Sequence, residues 1–298
     1  MVFAGPVARA DVVRRIEAHP LGEGPDAMRE GFRRLVLGDD PTGLATLAGY
    51  THGDCEAGRM IAPPGVPPGR PGAIWFHGGG YVFGAPETHL RAAARLAAGI
   101  GREVLLPRYP LAPEHRWPAP LDAALALAAQ FPGAALVGDS AGGHLALVAA
   151  LARARAGTPP PALALCSPNT DRSGRNRTRA AMSPLDPMVD DADDRRLGAM
   201  VFGDGFDPAD PEISPLLADL SLLPPTHVEV GDPEVLRDDA VLLHEAAGRQ
   251  GGRTRLVVTP GLLHMAQLWT PWWDEATASI DRAAAALASV LGPAGARD

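Results

Sequence analysis

Two glycine-rich segments, His77-Gly78-Gly79-Gly80 and Gly138-Asp139-Ser140-Ala141-Gly142-Gly143, carry residue types able to attack a carbonyl and hold the resulting charge. Each follows an apolar run, Ala73-Ile74-Trp75-Phe76 and Ala134-Ala135-Leu136-Val137, and a helical pattern follows the serine. In a strand–turn–helix of the G-x-S-x-G type the serine stands at the strand tip in a strained backbone that admits only small neighbours. A side chain at Gly138 or Gly142 is therefore expected to clash with the turn. Among 34 glycines an isolated match is cheap. The weight lies in both motifs standing at strand ends, in this order, with a histidine late in the chain.

A serine hydroxyl is a weak nucleophile at neutral pH, so Ser140 needs a histidine base and a carboxylate to orient that base. Of nine histidines, only His227, His244 and His264 follow Ser140 by enough residues. His264 is preferred because Pro260-Gly261-Leu262-Leu263-His264 reads as a loop leaving the last strand, where side chains reach the C-terminal edge of a parallel sheet. His227 falls at a strand start and His244 within a helix. His144, one helical turn after Ser140, is expected to pack beneath it.

The acid should leave the preceding strand, which runs into Gly231-Asp232-Pro233-Glu234, and spacing leaves both Asp232 and Glu234 open. Asp238 and Asp239 fall in the first turns of the next helix, where the dipole favours carboxylates without any catalytic role. An oxyanion needs backbone N–H donors. Ala141, directly after the nucleophile, supplies one, and Gly79 and Gly80 the others. His77 is expected to anchor its loop through hydrogen bonds.

The elements that must position these residues alternate from about residue 50. Strand patterns cover 72–76, 103–107, 134–137, 162–166, 226–230 and 255–259, and helical ones 86–99, 140–155, 236–251 and 272–291. Such alternation predicts an α/β fold with a mostly parallel sheet flanked by helices on both faces. In the last helix Ala276, Ile280, Ala283, Leu287 and Leu291 recur on one face, which is expected to be buried. Two regions break the alternation: residues 1–45, with a helical stretch over 26–37, and residues 172–223, which hold no strand pattern. An insertion of that length is expected to cover the active site.

A chain of 298 residues with 46% hydrophobic and 21% charged residues reads as one domain over 1–298 with a single large core. Its net charge of −8 and lack of a basic block argue against a nucleic-acid partner. Cys55 and Cys166 lack metal-ligand spacing or a disulfide framework, so two buried free thiols are expected. No apolar run is long enough to span a membrane, and residues 1–20 lack a signal-peptide pattern, which points to the cytoplasm. Trp269, Trp272 and Trp273 form either an exposed patch for homodimerisation or a cluster packed beneath the cover.

The paired motifs resemble the hormone-sensitive-lipase-like family of α/β-hydrolase esterases. The resemblance extends to Tyr109-Pro110-Leu111-Ala112-Pro113-Glu114-His115 and Asp210-Pro211-Glu212-Ile213-Ser214-Pro215-Leu216, and covers roughly residues 50–290. Within the family, residues 211–245 and Gln267-Leu268-Trp269 look most like the bacterial branch of acetyl hydrolases and monoterpene lactone hydrolases. The resemblance implies an α/β-hydrolase fold with a helical cap from about 1–45 and 172–223. Counting from Pro224-Pro225, the first aspartate of the family's Asp-Pro-Leu-Arg-Asp motif falls on Glu234, and Leu236-Arg237-Asp238 match its last three residues; Asp232 is the competitor. Where the family has Gly-Phe after its histidine, this chain has Met265-Ala266, which should reshape the pocket. Tyr81, Phe83, Met188, Val201, Phe202, Met265 and Trp269 are the pocket candidates.

These readings converge on a serine carboxylic-ester hydrolase for small to medium uncharged esters or lactones, acting through an acyl-enzyme without metal or organic cofactor. An amide hydrolase, such as a deacetylase or arylformamidase, would use the same triad. A ligand-binding receptor on a dead hydrolase scaffold would show a damaged one.

Overall fold

The computed structural model describes residues 2–293. Its strands are β1 (Thr51–Cys55), β2 (Gly58–Ala62), β3 (Ala73–Phe76), β4 (Val104–Pro107), β5 (Ala135–Asp139), β6 (Leu163–Cys166), β7 (Thr226–Gly231) and β8 (Thr254–Thr259). They form one eight-stranded sheet in the order β1-β2-β4-β3-β5-β6-β7-β8. β2 pairs antiparallel with β1 and β4, and every other pairing is parallel. The helices are α1 (Arg9–Ala18), α2 (Pro25–Leu37), α3 (Pro86–Ile100), α4 (Ala119–Gln130), α5 (Ala141–Arg155), α6 (Arg179–Met182), α7 (Asp191–Phe202), α8 (Arg237–Arg249) and α9 (Asp274–Leu291).

Side chains alternate across a strand, so a sheet covered on both faces needs apolar residues at successive positions. The central strands meet that demand with two separate clusters. Ala73, Trp75, Val104, Leu106, Ala135 and Val137 pack with α3 and α9. Ile74, Phe76, Leu105, Leu136, Leu163 and Leu165 pack with α4, α5 and α8. In α9, Ala276, Ile280, Ala283 and Leu287 are buried at the expected spacing.

Three differences from the sequence reading have physical causes. The β1–β2 hairpin has no hydrophobic signal in its outer strand, Thr51-His52-Gly53-Asp54-Cys55, because every residue of it is exposed at the sheet edge. Cys55 is consequently exposed, and only Cys166 is a buried free thiol. Helix α9 begins two residues later than expected, because Trp272 and Trp273 pack inward. Phe3 meets Trp269 and Trp272 edge to face, Val7 N–H donates to Trp272 O, and the Arg91 guanidinium lies 4.8 Å from the Trp272 ring centre. The tryptophan cluster is thus buried beneath the N-terminal segment and is no exposed patch for dimerisation. No helix of the described residues is long and apolar enough to cross a membrane.

Candidate active site

Strand β5 carries Ser140 to the C-terminal edge of the sheet, and α5 starts at once with Ala141. Between them the backbone turns through φ +52°, ψ −120° at Ser140, a conformation L-residues adopt only when the surroundings impose it. Ser140 N–H donates to Cys166 O at 3.0 Å on the neighbouring strand, which holds the turn. A Cβ at Gly138 would collide with the backbone of Gly142, and one at Gly142 with Phe76 O, so both glycines are required by close backbone approach.

His264 is engaged at both ring nitrogens. Its Nε2 lies 3.0 Å from Ser140 Oγ and its Nδ1 3.0 Å from Glu234 Oε2. The loops bearing Glu234 and His264 are brought together at Gly231, where any Cβ would collide with Leu262 O. Glu234 is fully buried, and its Oε1 accepts from Gly231 N–H at 2.5 Å and Ser167 Oγ at 3.0 Å. Burial pushes the Glu234 carboxyl up from its usual range, against the pull of His264 and the Gly231 N–H. Burial works most strongly against the His264 imidazolium, but the hydrogen bond and charge of Glu234, joined by the charges of Asp186 and Asp139, outweigh it and hold the imidazole pKa above its ordinary value. Asp232 lies elsewhere: its carboxylate accepts from Gly261 N–H at 2.7 Å, shaping the loop that leads to His264.

The His77–Gly80 loop is locked to the serine turn by Asp139. The buried Asp139 carboxylate accepts from Trp75 Nε1 at 2.8 Å and Gly78 N–H at 3.1 Å, and meets His89 Nε2 at 3.1 Å. His77 anchors the loop as expected, with Nδ1 at 2.8 Å from Gly78 O and its own carbonyl accepting from Tyr109 Oη at 2.6 Å. Burial, aided by neighbouring His89, drives the His77 pKa down to about 3, so its ring is neutral. Among the described residues, the N–H groups of Gly79, Gly80 and Ala141 donate to no protein acceptor.

The constellation and the sheet order match known proteins. An α/β-hydrolase-fold family model matches residues 73–268. An acetyl-hydrolase of Streptomyces hygroscopicus is 33% identical over 287 residues, 94% of this chain and 92% of that protein. The chain belongs to the hormone-sensitive-lipase-like family of α/β hydrolases. An esterase of Acinetobacter venetianus is 31% identical over 67% of the chain and 69% of its own length. The solved structure of an esterase from the bacterial hormone-sensitive lipase family superposes with a TM-score of 0.84 at 31% identity, covering 95% of this chain and 98% of that one. A hormone-sensitive lipase from a metagenome library superposes with a TM-score of 0.85 at 26% identity, over 97% and 100% of the two chains. The protein is therefore an enzyme of the carboxylesterase type, a hydrolase.

In this hydrolase Ser140, His264, Gly79, Gly80 and Ala141 all face one cavity of about 420 Å³. Its walls come largely from the two segments that broke the strand–helix alternation. Ile16, Leu21, Met28 and Leu35 approach from α1, α2 and the turn between them, and Met188, Val189 and Leu197 from the later insertion. Of the pocket candidates, Phe83, Met188 and Met265 line this cavity. Tyr81, Val201, Phe202 and Trp269 do not. Tyr81 is fully buried, with its Oη 2.6 Å from His144 Nδ1, and its ring packs with Trp117 and Phe202 behind the serine turn. Val201 accepts from Trp117 N–H through its carbonyl, and Trp269 meets Phe3. Tyr81, Val201 and Trp269 are core, and Phe202 is half-buried, packed against Trp117 and Phe206.

Sequence reasoning missed the groups that fasten these two segments. Arg29 of α2 makes a two-pronged bond to Glu114, with N–O distances of 2.8 and 2.6 Å, and donates to Val82 O and Ala112 O. Buried Arg179 of α6 joins Asp194 of α7 and Asp239 of α8, each at 2.7 Å, and also bonds Asn169 Oδ1. Asp239, expected to serve the helix dipole, is thus the fully buried end of a structural ion-pair network. No group of three or more His, Cys, Asp or Glu able to hold a metal exists among the described residues.

Proposed function

We propose that this protein is a serine carboxylic-ester hydrolase for small to medium uncharged esters and lactones, acting through an acyl-enzyme. The observation that carries the reading is the unbroken relay from Glu234 to His264 to Ser140, at 3.0 Å for each bond to the imidazole, opening onto three free backbone N–H groups. Ser140 Oγ attacks the ester carbonyl while its proton passes to His264 Nε2. Glu234 holds the imidazole in position and stabilises the imidazolium.

The negative oxygen of the tetrahedral intermediate accepts from Gly79, Gly80 and Ala141, each such donor being worth about 10²–10³ in rate. His264 returns the proton to the leaving alcohol oxygen as the C–O bond breaks. Water then attacks the acyl-enzyme, giving one proton to His264, which passes it to Ser140 Oγ as the acid leaves. Residues 1–45 and 172–223 act as the cap that forms the substrate walls. The cavity of about 420 Å³ is lined by Met28, Leu35, Phe83, Met188, Leu197 and Met265 together with Glu17, Asp193, Asp194 and Arg196, and its apolar share suits uncharged groups of modest size. The acetyl-hydrolase relative points to short acyl groups.

A series of p-nitrophenyl acyl esters tests this reading. Activity is expected to peak within about two to eight acyl carbons and collapse for chains of about twelve or more, as the cavity fills. Ser140→Ala is expected to abolish turnover, and full activity in that variant would sink the mechanism.

A further inference from the structure

A second buried carboxylate, Asp186, stands beside the Glu234–His264 pair without a role in the steps above. It lies in the segment between α6 and α7 and is 7% exposed. Asp186 Oδ2 accepts from Val235 N–H at 3.1 Å, the residue directly after Glu234, and Oδ1 from Met188 N–H at 3.0 Å. One side chain thus ties the chain that bears the triad acid to the chain that bears a wall of the substrate cavity, since Pro187, Met188 and Val189 all line it.

We infer that Asp186 is a positioning residue of the triad, which fixes the Glu234 loop against the cap and places a second negative charge in the field of His264. The inference rests on the triad reading proposed above. The principal charges acting on His264 are the carboxylates of Glu234, Asp186 and Asp139, and all three favour the imidazolium. Asp139 is already engaged by Trp75 Nε1, Gly78 N–H and His89 Nε2. Asp186 receives backbone N–H bonds, and the charged groups facing it are His264, which attracts it, and Glu234, which repels it. Burial, the largest influence, outweighs His264 and the backbone N–H groups of Met188, Val235 and Val189 and holds the Asp186 carboxyl above its usual range. When His264 takes the serine proton, an anionic Asp186 gains an attraction that was absent in the ground state, so its contribution appears in kcat.

Asp186→Asn keeps the shape and one acceptor oxygen, for Met188 N–H or Val235 N–H, but removes the charge and the second acceptor. The test is the pH dependence of kcat and kcat/KM on p-nitrophenyl butyrate, with thermal melts and fluorophosphonate labelling of Ser140 beside it. Asp186→Asn is expected to move the acidic limb of kcat/KM to lower pH by about half a unit to one unit, because a nearby carboxylate that raised the histidine pKa is gone. Plateau kcat is expected to fall about three- to thirtyfold with KM little changed, the signature of lost transition-state stabilisation. Asp186→Glu keeps the charge and is expected to keep the wild-type limb.

A folded Asp186→Asn whose limb coincides with wild type overturns the inference. Should Asp186→Asn fail to fold, Asp186→Glu decides: a wild-type limb supports the inference, and a displaced limb or a second folding failure overturns it in favour of a purely structural role. Failure of the triad reading looks different. It would show as wild-type enzyme that fluorophosphonate does not label, or as an active Ser140→Ala.

Discussion

The serine turn and the two segments proposed as a cap are held in place by opposite means. Around Ser140 the constraints are backbone: strained φ at the serine, glycines that no Cβ could replace, and main-chain hydrogen bonds to β6. Over the cavity they are long charged side chains, Arg29 to Glu114 and Arg179 to Asp194 and Asp239. The difference arises from what each region must do. An attacking oxygen misplaced by about 1 Å can cost about 10²-fold in rate, so it is set by short, stiff covalent geometry. A wall proposed to shape substrate choice has only to stay in place, and a few ion pairs suffice to fasten it.

Changes to the reacting side chains should break the first region most severely. Ser140→Ala or His264→Ala is expected to lower kcat by about 10⁴-fold or more, and Glu234→Gln by about 10²–10⁴, in assays on a p-nitrophenyl ester. Asp232→Asn should stay within about twofold, because its bond to Gly261 shapes a loop without touching the imidazole. A large loss in Asp232→Asn alone would reverse the assignment of the acid. Gly142→Val is expected to yield little folded protein, read by soluble expression and circular dichroism, since its side chain would enter the backbone of Phe76.

The cap should respond in stability before chemistry. Arg179→Met removes the arginine paired with fully buried Asp239 and one of the two on Asp194, Arg172 remaining at 3.2 Å, a loss of about 3–5 kcal/mol in urea unfolding by analogy with broken buried pairs. The molecules that remain folded should still be labelled at Ser140 by a fluorophosphonate. If labelling vanished while the fold persisted, the separation of the two regions would be wrong.

The smallest effects are set by pH. His264 must be neutral to act as base, and its pKa lies above the ordinary value of 6.5, so kcat/KM should fall as pH drops through a limb above 6.5. Stability should decline from a different cause. His77 and His144 have folded pKa values of about 3, set chiefly by burial. Between about 6.5 and 3 the unfolded chain binds protons that the folded chain refuses, so stability falls as pH falls through that window. Melting temperature against pH, with His144→Gln beside wild type, reads this, and an unchanged slope in the variant would remove His144 as a source.

The same contrast separates the residues that are legible in the sequence from those that are not. The strands of the sheet centre are legible because burial on both faces demands unbroken apolar runs. The elbow is legible because its turn tolerates only small residues, and His264 because it lies just past the last strand. The structure brings Glu234 to His264 and leaves Asp232 on Gly261 N–H, a choice between neighbours that spacing leaves open. The polar edge strand β1 gives no signal because pairing with β2, and no pattern of its own, makes it a strand. Tyr81, Val201 and Trp269 are aromatic or apolar residues near the right loops, yet they are buried in the core, and Phe202 packs half-buried against Trp117 and Phe206.

From its residues alone, the chain determined the alternation of strands and helices, the serine turn and the chemistry that its residue types allow. Those properties are local: they depend on backbone sterics and on periodicities of a few residues. The distance between Glu234 and His264, the walls of the cavity, and the approach of Asp186 to both were decided only by tertiary structure. Each of them depends on the direction of side chains carried by elements far apart in the chain, and packing alone sets that direction.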